Sequence, residues 1–126
     1  MPDNLGVHDG RLIPCPDSPN CVSSYETDET HQIEAFKTKG MPAIAWRGLG
    51  LELASLERVE VIRNDPDYVH AVFTSSLMRY DDDVEFYLRA EQGEIAVRSA
   101  SRVGYGDMDA NRNRIESIRQ ALVKKG

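Results

Sequence analysis

The chain has no apolar run approaching the roughly 20 residues that span a bilayer as a helix, so no transmembrane segment is expected. Its first ten residues, MPDNLGVHDG, lack the basic start and apolar stretch of a secretory signal. That points to a cytoplasmic location, or to the envelope or periplasm if the chain is a mature form. Positive charge is also short. Lys and Arg number 15 against 21 Asp and Glu, giving a net charge of -6. A general nucleic-acid binder needs a positive surface to displace counterions, so nucleic acid is not an expected partner. Cysteine is scarce, with Cys15 and Cys21 alone, and His8, His31 and His70 stand at no recognised ligand spacing from them. No metal or cofactor is therefore expected.

Catalytic signatures are equally thin. Neither a phosphate-binding loop nor a dinucleotide glycine pattern occurs, because VGYGD is too short and has no lysine. Ser99 and Ser101 fall in a strand-like stretch, not in a nucleophile elbow. A Cys15 nucleophile needs a base beside it. Catalysis is not the first reading.

What is present reads as one globular domain over residues 1–126, hydrophobic at 40% and charged at 29%. Residues 1–30 hold Pro2, Pro14, Pro16 and Pro19 with Gly6 and Gly10, and they show no periodicity. They predict an irregular arm, long enough to be functional or held by specific contacts. IEAF at 33–36 is a possible short extended piece. Pro42 suits a first helical position, and Trp46, Leu49, Leu53 and Leu56 follow 3-4-3 spacing, which predicts a helix over 42–55. Four alternating segments follow. Val59 and Val61 share one face, then Val69, Ala71 and Phe73, then Val84, Phe86 and Leu88, then Ile95 and Val97. Asn64-Asp65-Pro66-Asp67 and Gln92-Gly93 are turns, and Asp81-Asp82-Asp83 reads as an interruption. Met108, Ile115, Ile118 and Leu122 form the stripe of a last helix, capped by Asp107 or Asp109. The expected fold is α+β in two layers. A four-stranded antiparallel meander carries both helices on one face, with an α-ββββ-α core over residues 31–126.

Three motifs in order carry a family resemblance. CPDSPNCVSS, RYDDDVEF and RSASRVGYGDMDANRNRIESIR resemble the family catalogued as domain-of-unknown-function 1499, from about Leu5 to Leu122. Tyr80, Tyr105 and Met108 stand where the family more often has Phe, Ser and Leu. The resemblance implies a bacterial or plastid origin and a small single domain, many of whose relatives look exported or membrane-tethered. It implies no established activity.

The candidate site therefore rests on the residues. Arg98 and Arg102 are four apart on one strand and point to the same side, away from Ile95 and Val97. Glu85, Tyr87 and Arg89 face that way too, with His70 and Thr74. With Ser99, Ser101 and Gly104 they make a set that can hold a small anionic or polar ligand, and the arm can cover part of the face. The plainer reading is a solvated outer face with cross-strand pairs such as Glu85 with Arg98, each worth roughly 0–1 kcal/mol. Gly104 and Gly106 allow close backbone approach. Asp107, at the helix start, favours capping over ligand binding. Asp82, Asp83, Asp107, Asn111 and Arg112 are read as a structural network in which Arg112 reaches the aspartates. The aspartate run lacks the spacing of a calcium loop. Cys15 and Cys21 enclose a proline-stiffened loop that a disulfide would close, in an oxidising compartment. The preferred function is a non-catalytic binding domain. The alternatives are a protein-interaction or envelope accessory module, and a small hydrolase or thiol enzyme.

Overall fold

The structure is a computed structural model that describes residues 4–17, 20–75, 80–102 and 109–125. The predicted meander is present. Strands β5 (Val59–Asn64), β6 (Tyr68–Thr74), β7 (Asp81–Arg89) and β8 (Glu94–Ser101) pair antiparallel in chain order. The sheet, however, has six strands, not four. Both β3 (Cys21–Ser23) and β4 (Phe36–Lys37) pair with the outer edge of β8. An uncovered β8 edge would leave a row of backbone donors and acceptors unpaired. Strands of two and three residues are too short to show a period of two, so β3 was missed and the extended piece expected at 33–36 meets β4 only at Phe36.

The arm is also more regular than expected. Strands β1 (Val7–His8) and β2 (Arg11–Leu12) form a small hairpin. Asp9 and Gly10 turn it, with φ of 54° and 74°, as a two-residue primed turn requires. The Asp-Gly pair is a hairpin signal, but the flanking strands are too short to announce themselves.

The helices match their periodicity. Helix α1 runs Pro42–Ser55, as the 3-4-3 spacing predicts, and buries Leu49 and Leu53. Helix α2 runs Ala110–Lys125 and buries Ile115 and Ile118. Met108, expected on its stripe, lies outside the described residues. Both helices cover one sheet face, where Val69, Val84, Phe86, Ile95 and Val97 join Val22, Ile33 and Phe36 in a single core. Six of these residues are entirely or almost entirely removed from water. At roughly 1.5–3 kcal/mol for each large apolar side chain, this core is the main stabilising element. Part of the other sheet face is covered by the hairpin, where Leu12, Tyr68 and Ala96 pack with Tyr25 and Tyr87.

Asp81, Asp82 and Asp83 do not interrupt the sheet, as the sequence suggested. They are the first three residues of β7. Aspartate is a poor strand former, but its cost is overridden where the environment supplies partners. Arg102 faces Asp81 and Asp83, and Arg114 faces Asp82. Among the described residues, no helix is long and apolar enough to cross a membrane.

Candidate functional site

Strand alternation builds the site. On the face away from the helices, His70, Glu85 and Arg98 sit side by side across β6, β7 and β8. One row along are Val72, Asp83 and Ala100, and beyond them Thr74 and Asp81. This polar face divides into a covered part and an open part.

The covered part lies under the hairpin. Glu85 is 0% exposed. Its Oε2 accepts from the Gly6 backbone N–H at 2.9 Å and the Tyr68 hydroxyl at 2.6 Å. Its Oε1 lies 3.5 Å from Arg98 Nη1. Arg98 Nη2 donates to the Pro14 carbonyl at 3.3 Å. The Glu85–Arg98 pairing expected from the sequence is therefore present, but buried instead of solvated. Burial lowers the pKa of Arg98, with Glu85 and Asp83 pulling the other way. Burial raises Tyr68, and its hydrogen bond to Glu85 raises it further. Cys15 and Cys21 are joined by a disulfide with Cα atoms 5.7 Å apart, which ties the arm to β3.

The open part centres on Arg102. Its Nε and Nη2 donate to the two Asp83 oxygens at 3.0 and 3.1 Å, and its Nη1 donates to Asp81 at 3.4 Å. Asp83 is gripped from the other side by His70 Nε2 at 2.7 Å. Burial raises the pKa of Asp83, but the hydrogen bonds from His70 and Arg102 outweigh it and hold the carboxyl at about 2. The same bond to Asp83 raises Arg102. Arg102 has five N–H donors, and the described residues Asp83 and Asp81 engage three of them. Beside it, the sheet surface forms an open groove of about 460 Å³. Arg58, Glu60 and Ile62 line one side, Asp81 and Arg102 the other, and Val72 and Thr74 lie between them. Thr74 is fixed by its hydroxyl bond to Asp81 at 2.7 Å and by its backbone N–H bond to the Arg58 carbonyl at 2.9 Å.

The expected ligand set is thus split. Arg102 reaches the groove, whereas Arg98 is covered by the arm. Tyr87 and Arg89 stand at the far end of the face, where Arg89 pairs with Glu94 at 2.8 Å and lies over the Tyr25 ring. Ser99 and Ser101 do not share the arginine face at all, because a period of two puts them on the helix side. Gly104 and Asp107 lie outside the described residues.

The helix side holds a second polar knot. Asn111, 0% exposed, accepts from Ser99 Oγ at 2.6 Å and from Arg114 Nη1 at 2.9 Å. It donates to the Asn20 carbonyl and to Ser101 Oγ, both at 3.0 Å. Arg114, and not Arg112, answers the aspartates, pairing with Asp82 at 2.7 Å. The two arginines are two positions apart on a helix and so point in different directions. Arg112 instead donates to the Gln32 and Thr30 carbonyls. Sequence reasoning missed Arg58. It sits at a positive φ of 59° just before β5, and no residue pattern marks such a position.

A family model described as "protein of unknown function (DUF1499)" matches residues 11–122. The chain belongs to this family. The two arginines, the aspartates and the cysteine pair all fall within the matched span. No curated protein and no solved structure was found to match the chain.

Proposed function

We propose that the protein is a non-catalytic binding domain whose sheet face holds a small anionic or polar ligand in the groove beside Arg102. The observation that carries this reading is the state of Arg102. Asp83 and Asp81 orient its guanidinium at the edge of the groove, and these bonds engage three of its five N–H donors. A preoriented guanidinium loses little entropy on binding a carboxylate or phosphate. Arg58 supplies a second cation across the groove, and Val72 and Ile62 supply apolar contact. Glu60 and Asp81 balance these charges, which favours a ligand with hydrogen-bond donors as well as an anionic group. Arg98 acts from below by anchoring the arm.

The test is a thermal-shift panel of inorganic phosphate, simple carboxylates, amino acids and sugar phosphates. A ligand that binds only the folded chain raises Tm, by mass action. The reading expects at least one anionic member to raise Tm in the wild type and to lose that effect in Arg58→Ala. A panel with no Tm rise, or one that Arg58→Ala leaves intact, contradicts it.

A further inference from the structure

The arm meets the buried Glu85–Arg98 pair with two backbone groups. The Gly6 N–H donates to Glu85 Oε2, and the Pro14 carbonyl accepts from Arg98 Nη2 at 3.3 Å. One N–H and one carbonyl oxygen do not use up what the pair offers. Glu85 Oε1 and Arg98 Nε are both buried with no hydrogen-bond partner among the described residues. Protein interiors ordinarily pair such groups, because leaving them unpaired is costly. The comparison with Arg102 is direct. Arg102 uses its Nε and Nη2 together to hold both oxygens of one carboxylate. Arg98 presents the same edge, and there a single carbonyl meets Nη2 alone. The arm is also a separable cover. Strands β1 and β2 pair with each other and with no strand of the main sheet. The residue after Pro14 is Cys15, which the disulfide ties to Cys21 of β3.

We propose that Glu85 and Arg98 form a second binding site, closed by the arm while the disulfide is intact, for a small zwitterion of the α-amino acid class. The arm's N–H and carbonyl occupy the places of that ligand's two ends. A carboxylate fills the fork of Arg98 Nε and Nη2 with two parallel bonds. An ammonium group brings three N–H donors, enough to serve Glu85 Oε1 as well as Oε2, while the Tyr68 hydroxyl holds the Glu85 carboxylate in place. Glu85 and Arg98 stand directly opposite on β7 and β8, so a ligand that touches both carries its two charges close together. The site opens by thiol–disulfide exchange with a dithiol. A thiolate of the dithiol attacks the half-buried Cys15 sulfur, and the buried Cys21 leaves as a thiolate. The second thiol then displaces Cys15. The dithiol ends as a disulfide, and its two protons pass to the cysteines. This site lies under the hairpin and does not depend on the groove beside Arg102.

The test follows the NMR signal of Arg98 Nε–H during titration with glycine, in the oxidised protein and after reduction with dithiothreitol. Reading that one signal keeps the response apart from any binding at Arg102. A saturable shift is expected in the reduced chain, with an apparent affinity about tenfold higher than in the oxidised chain, because affinity scales with the fraction of open molecules. Acetate and methylammonium, with one charge each, are expected to bind about tenfold more weakly than glycine. The Cys15→Ser, Cys21→Ser double variant is expected to match the reduced chain without dithiothreitol. Arg98→Lys keeps the cation but not the fork, and is expected to lose the preference for glycine over acetate, read from the Gly6 amide. Where that variant fails to fold, the comparison of the three probes on the wild type decides. A reduced chain whose Arg98 signal does not move overturns the inference and leaves the two buried atoms to ordered water. Equal affinity in the oxidised and reduced chains overturns it too, as does acetate binding as tightly as glycine.

Discussion

Arg102, one residue past the end of β8, grips Asp83 of the neighbouring strand β7 with two parallel N–H···O bonds at 3.0 and 3.1 Å. The side chain of Asp83 is 3% exposed and that of Arg102 is 26% exposed, so the pair reaches from the interior of the sheet face to the edge of the groove. This pair makes Arg102 a structural residue as well as a binding one. Arg102→Ala leaves a buried carboxylate with His70 as its remaining partner, and a loss of about 2 kcal/mol is expected from a half-relieved buried pair. Arg102→Lys keeps the charge but not the paired bonds, and a smaller loss is expected. Urea unfolding of both variants checks the order.

Asp83 also sets an acid limit. Its folded pKa, about 2, lies below the ordinary carboxyl value of 3.8. A depressed carboxyl adds stability that is fully present above the ordinary value and is lost as pH falls through the folded one. Stability is therefore expected to fall between about pH 4 and pH 2, by about 2 kcal/mol from this group. Denaturant unfolding across that window should show a shallower slope for Asp83→Asn than for the wild type.

Glu85 and Arg98 form the buried pair beneath the hairpin. Removing one partner strands the other's charge, so Glu85→Ala and Arg98→Ala are each expected to cost about 3–5 kcal/mol. Replacing both with Ala is expected to cost less than the sum, because no charge is then left unpaired. A double-mutant cycle measured by urea unfolding decides this, and additive costs would contradict the pairing.

The Cys15–Cys21 disulfide closes a short loop and holds the arm that covers Arg98. By loop entropy, the bond is expected to contribute about 2 kcal/mol. Reduction should lower Tm and raise hydrogen exchange at Gly6 and Leu12, while β6 and β7 stay protected. Equal loss of protection in the central strands would show that the arm and the sheet unfold as one unit.

Asn111 ties α2 to β8 and to the segment before β3 through three hydrogen bonds, and accepts a fourth from Arg114 of its own helix. Asn111→Leu leaves Ser99, Ser101 and Arg114 each short of a partner in the interior. At about 1–3 kcal/mol for each group left unsatisfied, a loss of at least 3 kcal/mol is expected. Thermal unfolding of this variant beside Asn113→Leu, an exposed neighbour on the same helix, checks the contrast.

The parts of this fold that the sequence made legible are those with a long period. Trp46, Leu49 and Leu53 marked α1 to the residue, and four alternating segments marked β5 to β8 and their faces, with Arg98 and Arg102 on one side. Strands of two or three residues carry no period, so β3 was invisible and IEAF touched β4 only at Phe36, although both strands seal the edge of β8. The site was legible in its residue types but not in its depth. Nothing in the spacing of Glu85 and Arg98 tells that a hairpin 70 or more residues earlier covers them, because that contact is made by backbone groups of Gly6 and Pro14. Arg58 was missed for a similar reason, as it comes to the groove through a left-handed turn. The choice between Arg112 and Arg114 depended on which way α2 turns each of them, which residue types alone do not show.

The most direct test of the central claim is the NMR signal of the Arg102 Nε–H group during titration with inorganic phosphate and with the best member of the ligand panel. The account predicts a saturable shift of that signal, together with the amides of Ile62 and Thr74, while the buried Arg98 Nε–H stays in place. An Arg102 signal that does not move, or a response centred on Arg98 and Tyr87, would contradict it.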